Sequence, residues 1–372
     1  MTQLLDYRQF YINGKWVNPA KANDLEVIDP STEKAVAVIS IGDKADTDAA
    51  VAAAKAAFPA WAATAPAERL AYVEKILDIY KRRAKDMARA ISLEMGAPQD
   101  MSLDDQVDCG VYHIENFITA FKDFKFVRPL SADTPDTMIA WEPVGVVASI
   151  TPWNWPMNQV TLKVIPAILA GDTVILKPSE IAPLSSIVWT EIVDEAGLPA
   201  GVYNMVNGDG MGVGTQLSTH PDVDMVSFTG STRAGVAITK AAADTVKKVV
   251  LELGGKGANL VFADADENAV ARGVKHCFYN SGQSCNAPTR MLVERSFYDK
   301  AVEIAKKVAD ETTVDIAHKE GAHIGPVISK LQFDKIQGLI QDGINEGARL
   351  VSGGTGLPAH LSEGYFVRPT VF

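Results

Sequence analysis

Cys285 stands in the stretch YNSGQSCNAP (279–288), among small and polar residues, in a chain with only three cysteines. A cysteine kept for packing sits in an apolar run, as Cys277 does in GVKHCFYN. A thiol in a polar bend is accessible. It is a nucleophile where a helix N-terminus, a cation or local donors lower its pKa. Three other stretches carry groups that such a nucleophile needs. LELGGK (251–256) puts Glu252 before two glycines. A partly buried carboxylate there has a raised pKa and serves as a general base; the alternative is a sheet-edge carboxylate satisfied by backbone amides. PWNWP (152–156) confines Asn154 between prolines and tryptophans, so its amide is a fixed donor to an oxyanion or else an N-cap of the helix that follows. KPSE (177–180) sets Lys177 at a strand end with Glu180 three residues on. That carboxylate either accepts from ribose hydroxyls or simply pairs with the lysine in solvent.

Two glycine-rich turns complete the set. NGDGMGVG (207–214) lies between a strand and a helix, but its spacing is not G-x-G-x-x-G. FTGST (228–232) opens a helix in the same way, with Ser231 or Thr232 in N-cap position. Glycine lets a backbone approach a phosphate, and a helix N-terminus favours negative charge. Each turn alone reads equally as a plain connection; two on one sheet edge point to a nucleotide. The six histidines (113, 220, 276, 318, 323, 360) include none in a Cys–His arrangement. His276 beside Cys277 reads as structural, so a cysteine hydrolase has no residue support.

The elements that must position these groups follow from periodicity. FYINGKWV (10–17) alternates around Asn13-Gly14, a hairpin signature, and KAVAVIS follows as a strand. A helix covers DTDAAVAAAKAAFPAWAA. A second starts after Pro66 and runs unbroken to Gly96, and a third covers about 99–121. From 144 the texture changes to five apolar strands separated by four helical segments. That alternation specifies a mostly parallel, doubly wound sheet, with ligands beyond the carboxyl ends of its strands. All the loops named so far, except the cysteine's, fall at those ends.

Composition bounds the rest. A chain of 372 residues that is 47% hydrophobic predicts two domains, and its net charge of −11 argues against nucleic acid or an anionic membrane surface as partner. No stretch reaches the ~18 apolar residues of a membrane span, and no signal peptide leads the chain. Three cysteines without CxxC spacing suggest neither a disulfide framework nor a metal site, and fit the reducing cytoplasm.

Taken in order, PWNWP, KPSE, FTGST, LELGGK and GQSC resemble the aldehyde dehydrogenase superfamily, from the YINGKWV hairpin to GYFVRPTVF. The resemblance implies an α/β fold. Residues 1–121 and 144–252 would form a doubly wound parallel-sheet NAD-binding domain, 122–143 a bridging arm to a neighbouring subunit, and 253–372 a second, incomplete α/β catalytic domain. It implies that Cys285 attacks an aldehyde and that Asn154 and the Cys285 N–H hold the oxyanion. Hydride then passes to the nicotinamide to leave a thioester, and Glu252 activates the water that releases the acid. Lys177, also counted with the catalytic set, and Glu180 would bind the adenosine ribose, favouring NAD over NADP. Gly210, Gly214, Phe228 and Ser231 would line the dinucleotide, with Ile150, Thr151, Trp153, Gly230 and Leu253 beside it.

The sequence departs from the family at its end. Members continue past PTVF into a Glu-Ile-Phe-Gly-Pro-type motif whose glutamate holds the nicotinamide ribose, and EGYFVRPTVF reads as the start of a strand. The expectation is a C-terminally truncated chain that holds the nicotinamide loosely. It would then be either an impaired NAD-binding fragment or an active enzyme, forming a homo-dimer or tetramer at full length. With Ser284 and Asn286 flanking the cysteine and no arginine aimed at a carboxylate, an uncharged aldehyde is favoured over a semialdehyde.

Overall fold

This computed structural model describes residues 4–372, so the first three residues of the expected N-terminal domain lie outside it. A seven-stranded sheet organises the larger part. Its order is Lys248–Leu253, Met225–Gly230, Val146–Ile150, Thr173–Lys177, Tyr203–Met205, then the hairpin strands Phe10–Ile12 and Lys15–Val17. The first five are mutually parallel, and the hairpin adds an antiparallel edge through Met205 and Tyr11. Val146–Ile150 and Thr173–Lys177 are buried along their whole length, which is why they read as continuous apolar runs. Each fully buried Val or Ile contributes roughly 1.5–3 kcal/mol of transfer free energy. At the hairpin turn Asn13 and Gly14 have φ of 53° and 71°, the conformation that pair accepts.

Numbered by their place in the chain, the parallel strands run fifth, fourth, first, second, third in that order. The direction of winding therefore reverses between Val146–Ile150 and Met225–Gly230, the switch point at which such sheets open a crevice. Register aligns the strand ends there: Ile150 lies opposite Lys177 and Phe228, and Thr229 opposite Glu252. Helices cover both faces over two separate apolar clusters.

Three expectations about elements need correction. The helix expected to run unbroken from 66 to 96 is two helices, Pro66–Arg82 and Ala84–Met95. Arg83 leaves helical geometry and forms ion pairs with Asp86 and Glu191, which turns the second helix onto Leu184–Ala196. The helical region near 99–121 contains a π-turn, Ser102–Val107, before Asp108–Asp123. Tyr80 donates its hydroxyl hydrogen to the Val107 carbonyl that the wider turn releases. The C-terminal residues form no strand. The Tyr365 N–H donates to Pro30, its carbonyl accepts from Val327, and only Ser352 and Val371 form a bridge.

Val127–Ser131 and Thr134–Ala140 pair as an exposed antiparallel hairpin. Beyond it and the main sheet, Ala258–Val261 and Arg290–Val293 make a parallel pair, packed with Ala269–Phe278 and Tyr298–Glu311 around their own apolar cluster. Among the described residues no helix is long and apolar enough to cross a membrane.

Candidate active site

The loop 152–156 leaves the end of the central strand and enters the helix Pro156–Ala170. The N-cap position belongs to Trp155, without a side-chain cap, so the capping role considered for Asn154 is not the one it plays. The Asn154 Nδ2 instead donates to the Gln283 carbonyl at 2.9 Å, which leaves its second N–H without a partner among the described residues. The Asn154 carbonyl accepts from Gln106 Nε2 at 3.1 Å and from Asn280 Nδ2 at 2.9 Å, and Trp155 Nε1 donates to Ser284 Oγ at 2.8 Å. Gln106 lies in the π-turn, which is what carries its amide to this loop.

On the other side, the helix Ala269–Phe278 ends and the chain turns through Asn280, Ser281 and Gly282, with φ of 53°, 56° and 76°. Three successive left-handed residues, two of them not glycine, are strained, and hydrogen bonds hold them. Asn280 is buried and donates to the Asn154 and Gln283 carbonyls. Ser281 Oγ donates to the Gly325 carbonyl, and Gln283 Oε1 accepts from the Ile328 N–H. The segment 325–328 is itself pressed on the end of the helix Ala84–Met95, since a Cβ on Gly325 would overlap the Gly96 carbonyl. Cys285 follows, exposed, at the start of a turn closed by Ala287 N–H to Ser284.

Both sides face one cavity of about 750 Å3. Its walls include Trp153, Asn154, Gly230, Ser231, Glu252, Leu253 and Cys285. Glu252 was expected to be partly buried; its side chain is exposed, because Lys248–Leu253 is the outer strand of the sheet and alternates between exposed and half-buried positions. Ser231 caps the helix Thr232–Ala242 by accepting from the Ala234 N–H at 3.2 Å, as the simpler reading of that turn had it. His276, read as structural, also lines the cavity, but among the described residues it has no hydrogen bond with Cys285.

The remaining cofactor candidates lie along the same sheet edge but outside that cavity. Ile150, Thr151 and Phe228 are buried, and the Thr151 N–H donates to the Lys177 carbonyl. Lys177 is buried, with its pKa lowered by desolvation; its ammonium donates to the carbonyls of Pro178 (2.7 Å) and Gly208 (2.5 Å) and lies 3.6 Å from Glu180. It thus ties the glycine-rich loop to the strand end and stands with the cofactor candidates rather than with the cysteine. Within that loop Asp209 accepts from the Gly212 N–H, and the Gly214 N–H donates to the Asp209 carbonyl. Gly210 is open on its side-chain face.

Lys163, missed in the sequence, is buried on the sheet-facing side of the helix after Asn154. It donates to Ser227 Oγ at 3.2 Å. Desolvation brings its pKa down to about 8, against the pull of the Glu252 charge. A lysine inside the apolar run TLKVIPAIL was the available signal.

The aldehyde dehydrogenase family profile matches residues 16–372. A 3-succinoylsemialdehyde-pyridine dehydrogenase from a Pseudomonas species is 47% identical over 369 residues, covering 99% of this chain and 76% of its own. The crystal structure of an aldehyde dehydrogenase from Bartonella henselae superposes with a TM-score of 0.98 at 61% identity, over 99% of this chain and 77% of that one. A mutant of aldehyde dehydrogenase C from Pseudomonas syringae, solved with NAD+ and octanal, gives a TM-score of 0.95 at 44% identity, over 98% and 74%.

Proposed function

This chain belongs to the aldehyde dehydrogenase family, and we propose that it oxidises an aldehyde to the carboxylic acid with NAD through a covalent bond to Cys285. The observation that carries the proposal is the single cavity shared by Cys285, Asn154 and Glu252 at the switch point of a parallel sheet. The sheet edge fits a dinucleotide. Gly210 and Gly254 have ordinary negative-side backbone geometry and nothing within 4 Å of a built Cβ, so neither turn nor packing demands glycine there. Gly254 lines the cavity, so a side chain there would fill it. Gly230 and Ser231 would lie along the pyrophosphate, and Glu180 would accept from the adenosine ribose and repel a 2′-phosphate, favouring NAD over NADP.

When bound, NAD takes up the two electrons lost by the aldehyde carbon. The chain's own residues do the rest. The Cys285 thiolate adds to the carbonyl and forms a thiohemiacetal, whose oxygen is stabilised by the second Asn154 N–H and the Cys285 N–H. Oxidation leaves a thioester on Cys285. Glu252, exposed to the cavity's water, removes a proton from the water that attacks the thioester, and the acid leaves as the thiol re-forms. The exposed hairpin, with Val127, Leu130 and Met138 in solvent, supports assembly into dimers or tetramers, and three free thiols support a reducing compartment.

The test is NADH absorbance on mixing stoichiometric chain, NAD and a short aliphatic aldehyde. One NADH per chain in the parent and none in Cys285→Ala is the expected result; equal traces from the two would remove Cys285 from the reaction.

A further inference from the structure

Part of the cavity wall carries an excess of hydrogen-bond donors. Asn158 and Gln159 both line it. The Asn158 Oδ1 is already committed, accepting from His113 Nε2 at 2.6 Å, and the Gln159 Oε1 accepts from Thr229 Oγ1 at 2.8 Å. Those bonds fix which way each amide points. Both NH2 groups are left without a protein partner among the described residues, and both side chains remain half-buried. Half-desolvated donors reward a ligand acceptor, because an apolar ligand strips their water and returns nothing.

Resting on the function proposed above, we propose that the substrate is an aldehyde with a second hydrogen-bond acceptor, a keto or ether oxygen or a ring nitrogen, placed to accept from Asn158 and Gln159. A plain alkyl aldehyde reacts without the added contact.

Reversible thiohemiacetal formation protects Cys285 from alkylation, so affinity is readable without cofactor or turnover. The full chain is treated with iodoacetamide under increasing 4-methoxybutanal or its hydrocarbon match hexanal. Labelling of the Cys285 peptide is followed by mass spectrometry, and each aldehyde is normalised to its equilibrium with 2-mercaptoethanol. The ether protects at a concentration about threefold or more below hexanal, the gain expected of one or two neutral hydrogen bonds. Asn158→Asp and Gln159→Glu keep the His113 and Thr229 bonds but delete the donors, and each brings the ether-to-hexanal ratio towards one. Hexanal equal to the ether, or a ratio untouched in both variants, overturns the inference. If no aldehyde protects Cys285, the parent reading fails and this one with it.

Discussion

Glu252 and Cys285 face the same cavity, yet the chain delivers them by different means. Glu252, with Gly230 and Ser231, stands at the ends of hydrogen-bonded parallel strands, where ladder register alone fixes its height beside Thr229. Cys285 follows a run of left-handed residues outside any strand, and its place is set by side chains: Asn280, Gln283, Ser281 and, through Asn154, Gln106. The sheet side spreads its stability over a large apolar core. The cysteine side depends on a few bonds, each of which a single substitution removes.

That contrast breaks most directly at Asn280. Asn280→Ala deletes two part-buried hydrogen bonds and leaves a non-glycine residue at φ 53°, which together cost about 3 kcal/mol. Displacement of the thiol by a fraction of an ångström slows single-turnover NADH formation about a hundredfold. Asn280→Gly relieves the strain but not the lost bonds, and falls between parent and alanine in urea unfolding. An alanine variant equal to the parent would mean that the turn is held by something other than these side chains.

On the sheet side the expected effect is smaller and of another kind. A Cβ at position 230 would lie 2.5 Å from the Phe228 ring, so Gly230→Ala moves that ring at about 1–2 kcal/mol. The loss appears as a weaker NAD Kd in titration calorimetry, while the rate of Cys285 alkylation stays near that of the parent. Equal losses in both readouts would show that the two sides are not independently held.

Lys163, packed against the sheet and within reach of the Glu252 charge, sharpens the comparison through pH. Its folded pKa of about 8 lies below the ordinary 10.5, so between those values the unfolded chain holds a proton that the folded chain has lost. Stability of the parent therefore rises from about pH 8 to 10.5, and below pH 8 the penalty for burying the charge is fully present. Lys163→Met is more stable than the parent by about 1 kcal/mol at pH 7, after the Ser227 bond it forfeits. That advantage shrinks as the pH approaches 10.5. A constant difference across that range would contradict a buried charge at this position.

What could be read from the sequence follows the same division. The parallel strands announced themselves as apolar runs between helical periods, and PWNWP, FTGST and LELGGK fell at their ends, because burial on both faces and βα alternation are local patterns. The bonds that place Cys285 are not local. Asn280 and Gln283 meet Asn154, and Gln106 reaches the same loop only through a π-turn that no periodicity marks. The break at Arg83 was hidden for a like reason: its cause is Glu191, more than a hundred residues away. Glu252 was misjudged in exposure because sequence does not tell which parallel strand lies at the edge of the sheet.

The most direct test of the account is to trap the covalent intermediate. Glu252→Gln is mixed with NAD and a short aldehyde, quenched in acid, and the Cys285 peptide is weighed by mass spectrometry. The prediction is a stoichiometric acyl thioester on Cys285 that persists in the variant and clears in the parent. Acylation of Cys109 or Cys277 instead, or an acyl group that clears equally fast from both chains, would contradict the roles given to Cys285 and Glu252.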